Sequence, residues 1–467
     1  MRSFIDEKPV YELTYADVFI LPGHETSLSS RMDVDMSIPA DLPLTNPVMV
    51  ANMTAVAGVE MAEVTARRGA MTMLVQGQPL KKILADVKKV KEAHPIFDTP
   101  VVISEDDTME EKYSLKTPHG NVVVVDNDGN PVGVYNRDNF GGFSQRAGLV
   151  FEEGTDLLDI FSEMSNTGDD FAVVKLNNGN LGVITAEGIV RSSLHRPAVD
   201  KEGKLVVGVA LGINENIAER VEAYKNAGVD TILLDTANGH QERLIAAVAE
   251  ARTVAPDMFI IAGTVVTRDG TAALIKAGAN MVKVGIGAGA MCITRMRTGV
   301  GRPQFSAVLE CADEAKKLGG TVLADGGIKH PRDVALAMAA GAACTMIGSW
   351  FAPTYESAGE VVRENCQLFV EHYGMASTRA VSERDHGKDR FLHMKKAFFE
   401  EGASDVKMRL KEGQDSAEII LDQISSGLRS TCSYVGVDKL SDLSDNAVIG
   451  VQSPAAFGES SAVSGTW

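Results

Sequence analysis

The chain has 467 residues, 45% of them hydrophobic, and a formal net charge of −18. That composition can build a large soluble core, and the length suggests two to four domains at roughly 150 residues each. A chain this acidic is a poor nucleic-acid binder and no nucleic-acid partner is expected, so a phosphate ligand has to be held by local dipoles and a few cations.

The five cysteines stand at 292, 311, 344, 366 and 432, without a Cys-x-x-Cys pair and in odd number. This pattern points to a reducing, cytoplasmic setting and away from a disulfide framework or a zinc site. Met1–Glu7 lacks the apolar core of a signal peptide. No run of eighteen apolar residues occurs, so no membrane span and no membrane partner is expected.

After an N-terminal arm, short apolar runs alternate with amphipathic segments of helical length. The runs are Pro47–Asn52, Ala70–Val75, Leu205–Leu211, Thr231–Asp235, Phe259–Gly263, Met281–Ile286, Thr321–Asp325 and Cys344–Ile347. The helical segments between them are Glu60–Arg68, Leu80–Glu92, Asn214–Asn226, Gln241–Val254, Arg268–Lys276, Phe305–Leu318 and Pro331–Ala340. Apolar strands alternating with helices mean a parallel sheet covered on both faces. Eight such units predict an α/β fold, a (β/α)8 TIM barrel. A doubly wound sheet is the alternative, and the strand count favours the barrel.

About a hundred residues interrupt this rhythm between His94 and Leu205, too many for a structureless loop inside a compact domain. They predict an inserted domain, residues 96–199, which divides the barrel into 1–95 and 200–440. The insertion contains a weak repeat: residues 121–134 reappear as 170–183, each with an Asp-Gly or Asn-Gly turn between apolar strands. Each copy is expected to end on a helix start, Asn136–Asn139 and Thr185–Ile189. Helical segments are expected ahead of each copy, at Thr108–Leu115 and Asp156–Met164. The tandem resembles a CBS pair (a Bateman domain), which implies ATP or GTP as a regulatory ligand; a plain structural spacer is the rival reading.

Beyond the eighth strand, Tyr373-Gly374-Met375-Ala376-Ser377 precedes a charged segment, Ser382–Phe391, read as a mobile lid or as solvated surface. A helix over Ser416–Ser425 is expected to lead into Arg429-Ser430-Thr431-Cys432-Ser433-Tyr434-Val435-Gly436. From Ser441 the tail turns rich in Ser, Gly and Ala and is expected to be disordered.

Chemistry concentrates after strand six, in Val284-Gly285-Ile286-Gly287-Ala288-Gly289-Ala290-Met291-Cys292-Ile293-Thr294-Arg295. Glycine permits positive φ and a close backbone approach to a ligand or ion. The loop presents one cysteine at a strand end, where barrel enzymes place catalytic groups. Cys-x-Thr supplies a nucleophile with a hydroxyl two residues away. Asp325-Gly326-Gly327 ends strand seven and Gly348-Ser349 ends strand eight, the places where barrels bind phosphate. Together they describe a nucleoside monophosphate whose ring lies over the cysteine. Asp235-Thr236-Ala237-Asn238-Gly239-His240, after strand four, faces the same end and could hold a second ligand; His240 is otherwise a surface histidine at a helix start.

With these motifs in order, the chain resembles the IMP dehydrogenase/GMP reductase family. The resemblance rests on Gly287–Thr294, Asp325-Gly326-Gly327, Gly348-Ser349 and Tyr373-Gly374-Met375. Thr294–Ala312, Asp235–Gly239 and Leu428–Gly436 look like GMP reductase. The insertion and Lys388-Asp389-Arg390-Phe391 look like IMP dehydrogenase, with Phe391 in place of the tyrosine that serves water activation there.

The resemblance implies reductive deamination of GMP to IMP through a Cys292 thioimidate, with Thr294 and Glu401 as the proton-transfer pair. It places Asp325, Gly326, Gly327, Gly348 and Ser349 on ribose and phosphate, and Gly374, Met375 and Ala376 on the purine. It places Ser30, Arg31, Asp235, Thr236, Ala237, Ile286, Gly287, Ser430 and Thr431 on the cofactor, NADPH or alternatively NADH. It implies a monovalent cation, potassium, held by Gly287, Gly289, Cys292 and Arg295, and assembly as a homotetramer or octamer. IMP dehydrogenase and a non-catalytic purine-nucleotide sensor are the alternatives. The chain departs from the family at Ala290 (usually a phosphate-binding Ser), Gln76 (commonly a Lys) and Phe398 (an Arg in reductases).

Overall fold

The structure is a computed structural model that describes residues 3–4, 11–23, 25–106, 120–137, 143–365, 367–375, 377, 402–403, 406–411 and 413–459. Eight parallel strands close into a barrel in chain order. They are β1 Val48–Val50, β2 Met71–Leu74, β3 Gly208–Leu211, β4 Thr231–Asp235, β5 Phe259–Val265, β6 Met281–Val284, β7 Thr321–Asp325 and β8 Cys344–Ile347. Apart from Lys283 in β6 and the aspartates that end β4 and β7, they run largely apolar because both faces are covered, by barrel interior and by helices, so no polar alternation is required.

The outer layer is α1 Val59–Arg67, α2 Leu80–Glu92, α3 Ile217–Asn226, α4 Glu242–Val254, α5 Arg268–Lys276, α6 Gln304–Lys317 and α7 Pro331–Ala339. In α2 the spacing of Ile83, Val87 and Val90 puts all three on one face, and all three are buried. Asn216 caps α3 by accepting from Glu219 N at 3.3 Å, and Thr267 caps α5 by accepting from Gly270 N at 3.2 Å.

The eighth helix, α8 Ala417–Val435, packs against α7 and α1 and so closes the ring. The sequence reading ended it at Ser425, and the structure carries it to Val435. Arg429, Ser430 and Thr431 are therefore helical, not part of a following stretch. At its start, buried Glu356 accepts from Ser416 Oγ at 2.7 Å and from Ala417 N at 3.0 Å, which ties α8 to the segment after β8.

Between α2 and β3 the chain leaves the barrel. Strands Val102–Ser104, Asn121–Val125, Pro131–Arg137 and Phe143–Arg146 form one sheet. Strands Leu149–Glu152, Phe171–Lys175 and Leu181–Thr185 form another. Val123 and Val134 of the first pack with Phe171, Val173 and Val183 of the second, so the two repeat halves share a core. Helix Leu157–Thr167 follows its cap Asp156, and Ala186–Leu194 follows its cap Thr185. The first repeat copy differs from expectation: Asn136 and Arg137 are extended in a strand, not the start of a helix. Its expected helix at Thr108–Leu115 lies outside the described residues.

Two further small sheets lie among the described residues. Val361–Glu364, Gln367–His372 and Val406–Arg409 form one. The other joins Ser3–Phe4, Val18–Leu21 and Val448–Val451. The last strand corrects the expectation of a disordered tail from Ser441. Ile449 is buried, and helix Pro454–Glu459 follows. No helix among the described residues is long and apolar enough to cross a membrane.

Candidate active site

A cavity of about 580 Å³ opens at the C-terminal ends of the barrel strands, within the size range of small-molecule sites. Its walls are the loops after β4, β6, β7 and β8, together with Gly374, Met375, Ser377 and Gly402.

The loops after β6 and β7 hold each other through glycine. Gly285 has φ +148°, and a Cβ there would stand 2.0 Å from the carbonyl oxygen of Asp325. Gly326 has φ +91°, and a Cβ there would meet Gly289 N at 2.7 Å. No side chain fits either contact, so backbone lies directly on backbone. Gly289 has no such restriction: a Cβ there reaches only Cys292 Cβ, at 3.7 Å. Gln304 of α6 stitches the same two strand ends, donating from Nε2 to Val284 O at 2.8 Å and to Asp325 O at 3.1 Å.

Cys292 sits in the cavity wall, half-buried, and its thiol donates to Thr294 Oγ at 3.2 Å. Its backbone N–H bonds to Gly289 O at 3.1 Å, and it bridges to Gly402 across the cavity mouth. The other described cysteines are buried, and burial pushes the thiols of Cys311 and Cys432 up to about 11. They are inert at neutral pH, whereas Cys292 faces open volume.

Cys292, Thr294, Asp325, Gly326, Gly327, Gly348, Ser349, Gly374, Met375, Asp235, Thr236, Ala237, Ile286, Gly287 and Gly289 all line this cavity, as do the departure positions Gln76 and Ala290. Glu401, Ala376, Phe391 and Phe398 lie outside the described residues. Ser30, Arg31, Ser430 and Thr431 do not line the cavity. Three of them gather elsewhere: Ser30 caps the turn Arg31–Asp33, and Arg31 Nη1 donates to Ser430 Oγ at 3.1 Å. Arg295 turns away too, its stem lying over Gly287 and Gly301. His240 is exposed and off the cavity.

The sequence reading missed the floor of the site. Lys283, in the middle of β6, is buried, and its Nζ lies 2.9 Å from Asp235 Oδ1 and 2.7 Å from Asp325 Oδ2. Asn52 Nδ2 donates to Asp235 Oδ2 at 3.1 Å. Burial opposes the ammonium, but the two carboxylates outweigh it and hold Lys283 charged, above the usual lysine range. Burial pushes the Asp325 carboxyl up against the pull of Lys283. The signal was available: Lys283 is a charge inside an otherwise apolar strand, and buried charges are almost always paired.

A family model described as "IMP dehydrogenase / GMP reductase domain" matches residues 12–462. A GMP reductase of Mycobacterium tuberculosis (strain H37Rv) is 45% identical, with all of both chains covered. An inosine-5'-monophosphate dehydrogenase of Chlorobaculum tepidum is 32% identical, covering 94% of this chain and 93% of that one. Among solved structures, a Cys-to-Ala variant of GMP reductase from Trypanosoma brucei in complex with guanosine 5'-monophosphate superposes with a TM-score of 0.69. It is 26% identical and covers 98% of this chain and 99% of that one. The match extends over nearly the whole length and takes in the cysteine loop and the glycine turns that wall the cavity, so the chain belongs to the IMP dehydrogenase/GMP reductase family.

Proposed function

We infer that the chain is a GMP reductase, converting GMP to IMP and ammonia with a reduced nicotinamide cofactor. The observation that carries this is the Cys292–Thr294 pair, 3.2 Å apart in a cavity walled by three glycine loops. Its direction rests on full-length likeness to GMP reductases at 45% identity, against 32% for the IMP dehydrogenases.

The thiolate of Cys292 adds to C2 of the purine, which replaces one hard displacement with two easier steps. The C2 amine leaves as ammonia when it takes a proton, and Thr294 with Glu401 handles that proton. General acid catalysis of this kind contributes ~10²–10⁴-fold. A reduced nicotinamide cofactor held beside Asp235, Thr236 and Ala237 would supply hydride to C2, and Cys292 would leave C2 as a thiolate as IMP forms. Asp325 faces the ribose, and the backbone N–H groups of the glycine loops face the phosphate. With Ala290 in place of a serine, those N–H groups have to carry more of the phosphate affinity.

The wall formed by Asp235, Thr236 and Ala237 leaves room for the nicotinamide beside the purine. Ser30, Arg31, Ser430 and Thr431, off the cavity, then serve the far end of the cofactor. NADPH is the reading we favour over NADH. The oxygens of Gly287, Gly289 and Cys292 are neutral carbonyls without a carboxylate among them, which suits a monovalent cation such as potassium and not a divalent one.

Residues 96–199 are read as a CBS pair that takes ATP or GTP and regulates a cytoplasmic homotetramer or octamer. The deciding assay sets NADPH oxidation with GMP against NAD⁺ reduction with IMP. Ammonia release with GMP and little XMP from IMP is expected. Robust XMP formation would make the chain an IMP dehydrogenase instead.

A further inference from the structure

The strand β6 carries a lysine where the barrel interior asks for an apolar side chain, and that lysine stands between two walls of the cavity. Lys283 Nζ contacts Asp235 at the end of β4 and Asp325 at the end of β7, at 2.9 and 2.7 Å. The partners differ in what remains open to a ligand. Asp235 is fully engaged: Oδ1 takes Lys283 and Thr264 Oγ1 at 3.4 Å, and Oδ2 takes Asn52. Asp325 gives Oδ2 to Lys283, and its Oδ1 has no hydrogen-bond partner among the described residues. Asp325 is also the more exposed of the two, 25% against 16%. One ammonium therefore fixes one carboxylate oxygen and leaves the other facing the cavity.

We propose that Lys283 is a positioning residue of the reaction. It holds Asp325 ionised and oriented for the ribose diol of the nucleotide, and through the same ammonium it ties Asp325 to Asp235 on the cofactor wall. This rests on the reading that the cavity binds a nucleoside monophosphate beside a nicotinamide. The role proposed for Lys283, which itself lines the cavity, is indirect. Its effect runs through Asp325, whose free oxygen can accept from a hydroxyl only when the carboxylate stays charged and in place. A second consequence is linkage: a ligand that rearranges either carboxylate alters the grip on the other, so nucleotide and cofactor affinities are coupled.

Removing the ammonium leaves two half-buried carboxylates facing each other. Among the described residues, the titratable and charged groups around Asp325 are then Asp235 from β4, Lys329 and Cys292 on the cavity wall, and the buried phenol of Tyr15. Tyr15 stays neutral, because burial pushes its pKa up. With Lys329 the cation that remains on the cavity wall among the described residues, one proton is taken up by the carboxylate pair. In Lys283→Met, calorimetric GMP affinity is expected to fall about tenfold for each pH unit below the raised carboxylate pKa, because the ionised fraction falls by that factor. The profile of Lys283→Met is expected to be steeper than that of the wild-type enzyme over the same pH range, in which the titration of the nucleotide's own phosphate is common to both.

The double variant Lys283→Met/Asp235→Asn separates positioning from mere neutralisation. It removes the like-charge repulsion, so folding and thermal stability should return. GMP affinity should stay at least about tenfold weak, and cofactor should no longer alter it, the wild-type coupling being in the ~5–150-fold range. Wild-type GMP affinity in the double variant, or a pH profile in Lys283→Met no steeper than that of the wild-type enzyme, overturns the proposal. Failure of the wild-type enzyme to oxidise NADPH with GMP would sink the functional reading instead, and the GMP calorimetry would still decide the part of Lys283.

Discussion

Glu418 joins three separate parts of the chain, and its removal should be felt by all of them. Its carboxylate accepts from Arg68 Nε at 2.7 Å and from Arg191 Nη1 at 3.0 Å. Arg68 is the C-cap of α1, Arg191 lies on the helix by which the insertion returns to the barrel, and Glu418 stands in the first turn of α8. Arg191 also donates to Asp422 Oδ2 at 2.7 Å, and Asp422 Oδ1 meets His195 Nε2 at 2.8 Å. The side chains of Arg68 and Glu418 are 2% and 3% exposed, so neither charge can turn to water. Glu418→Ala leaves two guanidinium groups facing a neutral gap. Breaking a buried pair in this way costs about 3–5 kcal/mol, a large fraction of the ~5–15 kcal/mol that holds a typical domain. Urea unfolding of the purified enzyme, followed by tryptophan fluorescence and by activity, measures the loss. The triple replacement Arg68→Met, Arg191→Met, Glu418→Leu should recover most of it, because a matched apolar cluster carries no desolvation penalty. If Glu418→Ala stays within about 1 kcal/mol of the wild type, the network is not what ties the insertion to α8.

Cys292→Ala should abolish turnover while calorimetric GMP binding persists, since ribose and phosphate are held by other loops; near-normal activity would end the covalent mechanism. His372 is buried, its ring nitrogens have no hydrogen-bond partner among the described residues, and burial holds its pKa down at about 4 from the usual 6.5. The folded state therefore resists a proton that the unfolded state accepts. Stability present above pH 6.5 should be lost as the pH falls towards about 4, by up to about 3 kcal/mol; His372→Asn should flatten that slope in pH-dependent urea unfolding, and an unchanged slope would refute the assignment. Replacing residues 96–199 by a short linker should leave an active barrel and remove any effect of ATP or GTP on the GMP dependence. A full-length enzyme indifferent to both nucleotides would make the segment a spacer.

Local periodicity carried most of the barrel into view. Seven helices and eight strands were legible because each declares itself within its own dozen residues, and the glycine loops because their spacing has no use in a packed strand. What stayed hidden has its cause in another segment. Ser425-Ser426-Gly427 reads as a helix stop, yet α8 continues through it, and the glycine has another reason: a Cβ at Gly427 would stand 2.9 Å from Pro331 at the start of α7. The bare α-carbon is there for helix packing, not for chain reversal. Gly450 repeats the lesson: a Cβ there would stand 2.2 Å from the Phe19 ring, so the glycine belongs to a strand pressed on an aromatic and not to a loose tail. Asn136 and Arg137 extend because Ser144 and Phe143 pair with them, a partnership that the repeat with 170–183 does not predict.

Lys283 is the most instructive of these. Within its own run it breaks the pattern that made the run legible, and its reason lies on strands β4 and β7, far away in the sequence. A charge in a barrel strand gains nothing locally and costs desolvation. It can be kept only where closure of the barrel brings opposite charge to it. Because β4, β6 and β7 end at the same face and Lys283 stands one residue before the end of β6, this charge lies under the mouth of the barrel, where ligands bind. A charged residue in an otherwise apolar barrel strand is therefore a pointer to the floor of the site, and the strand ends on either side are where its partners should be sought.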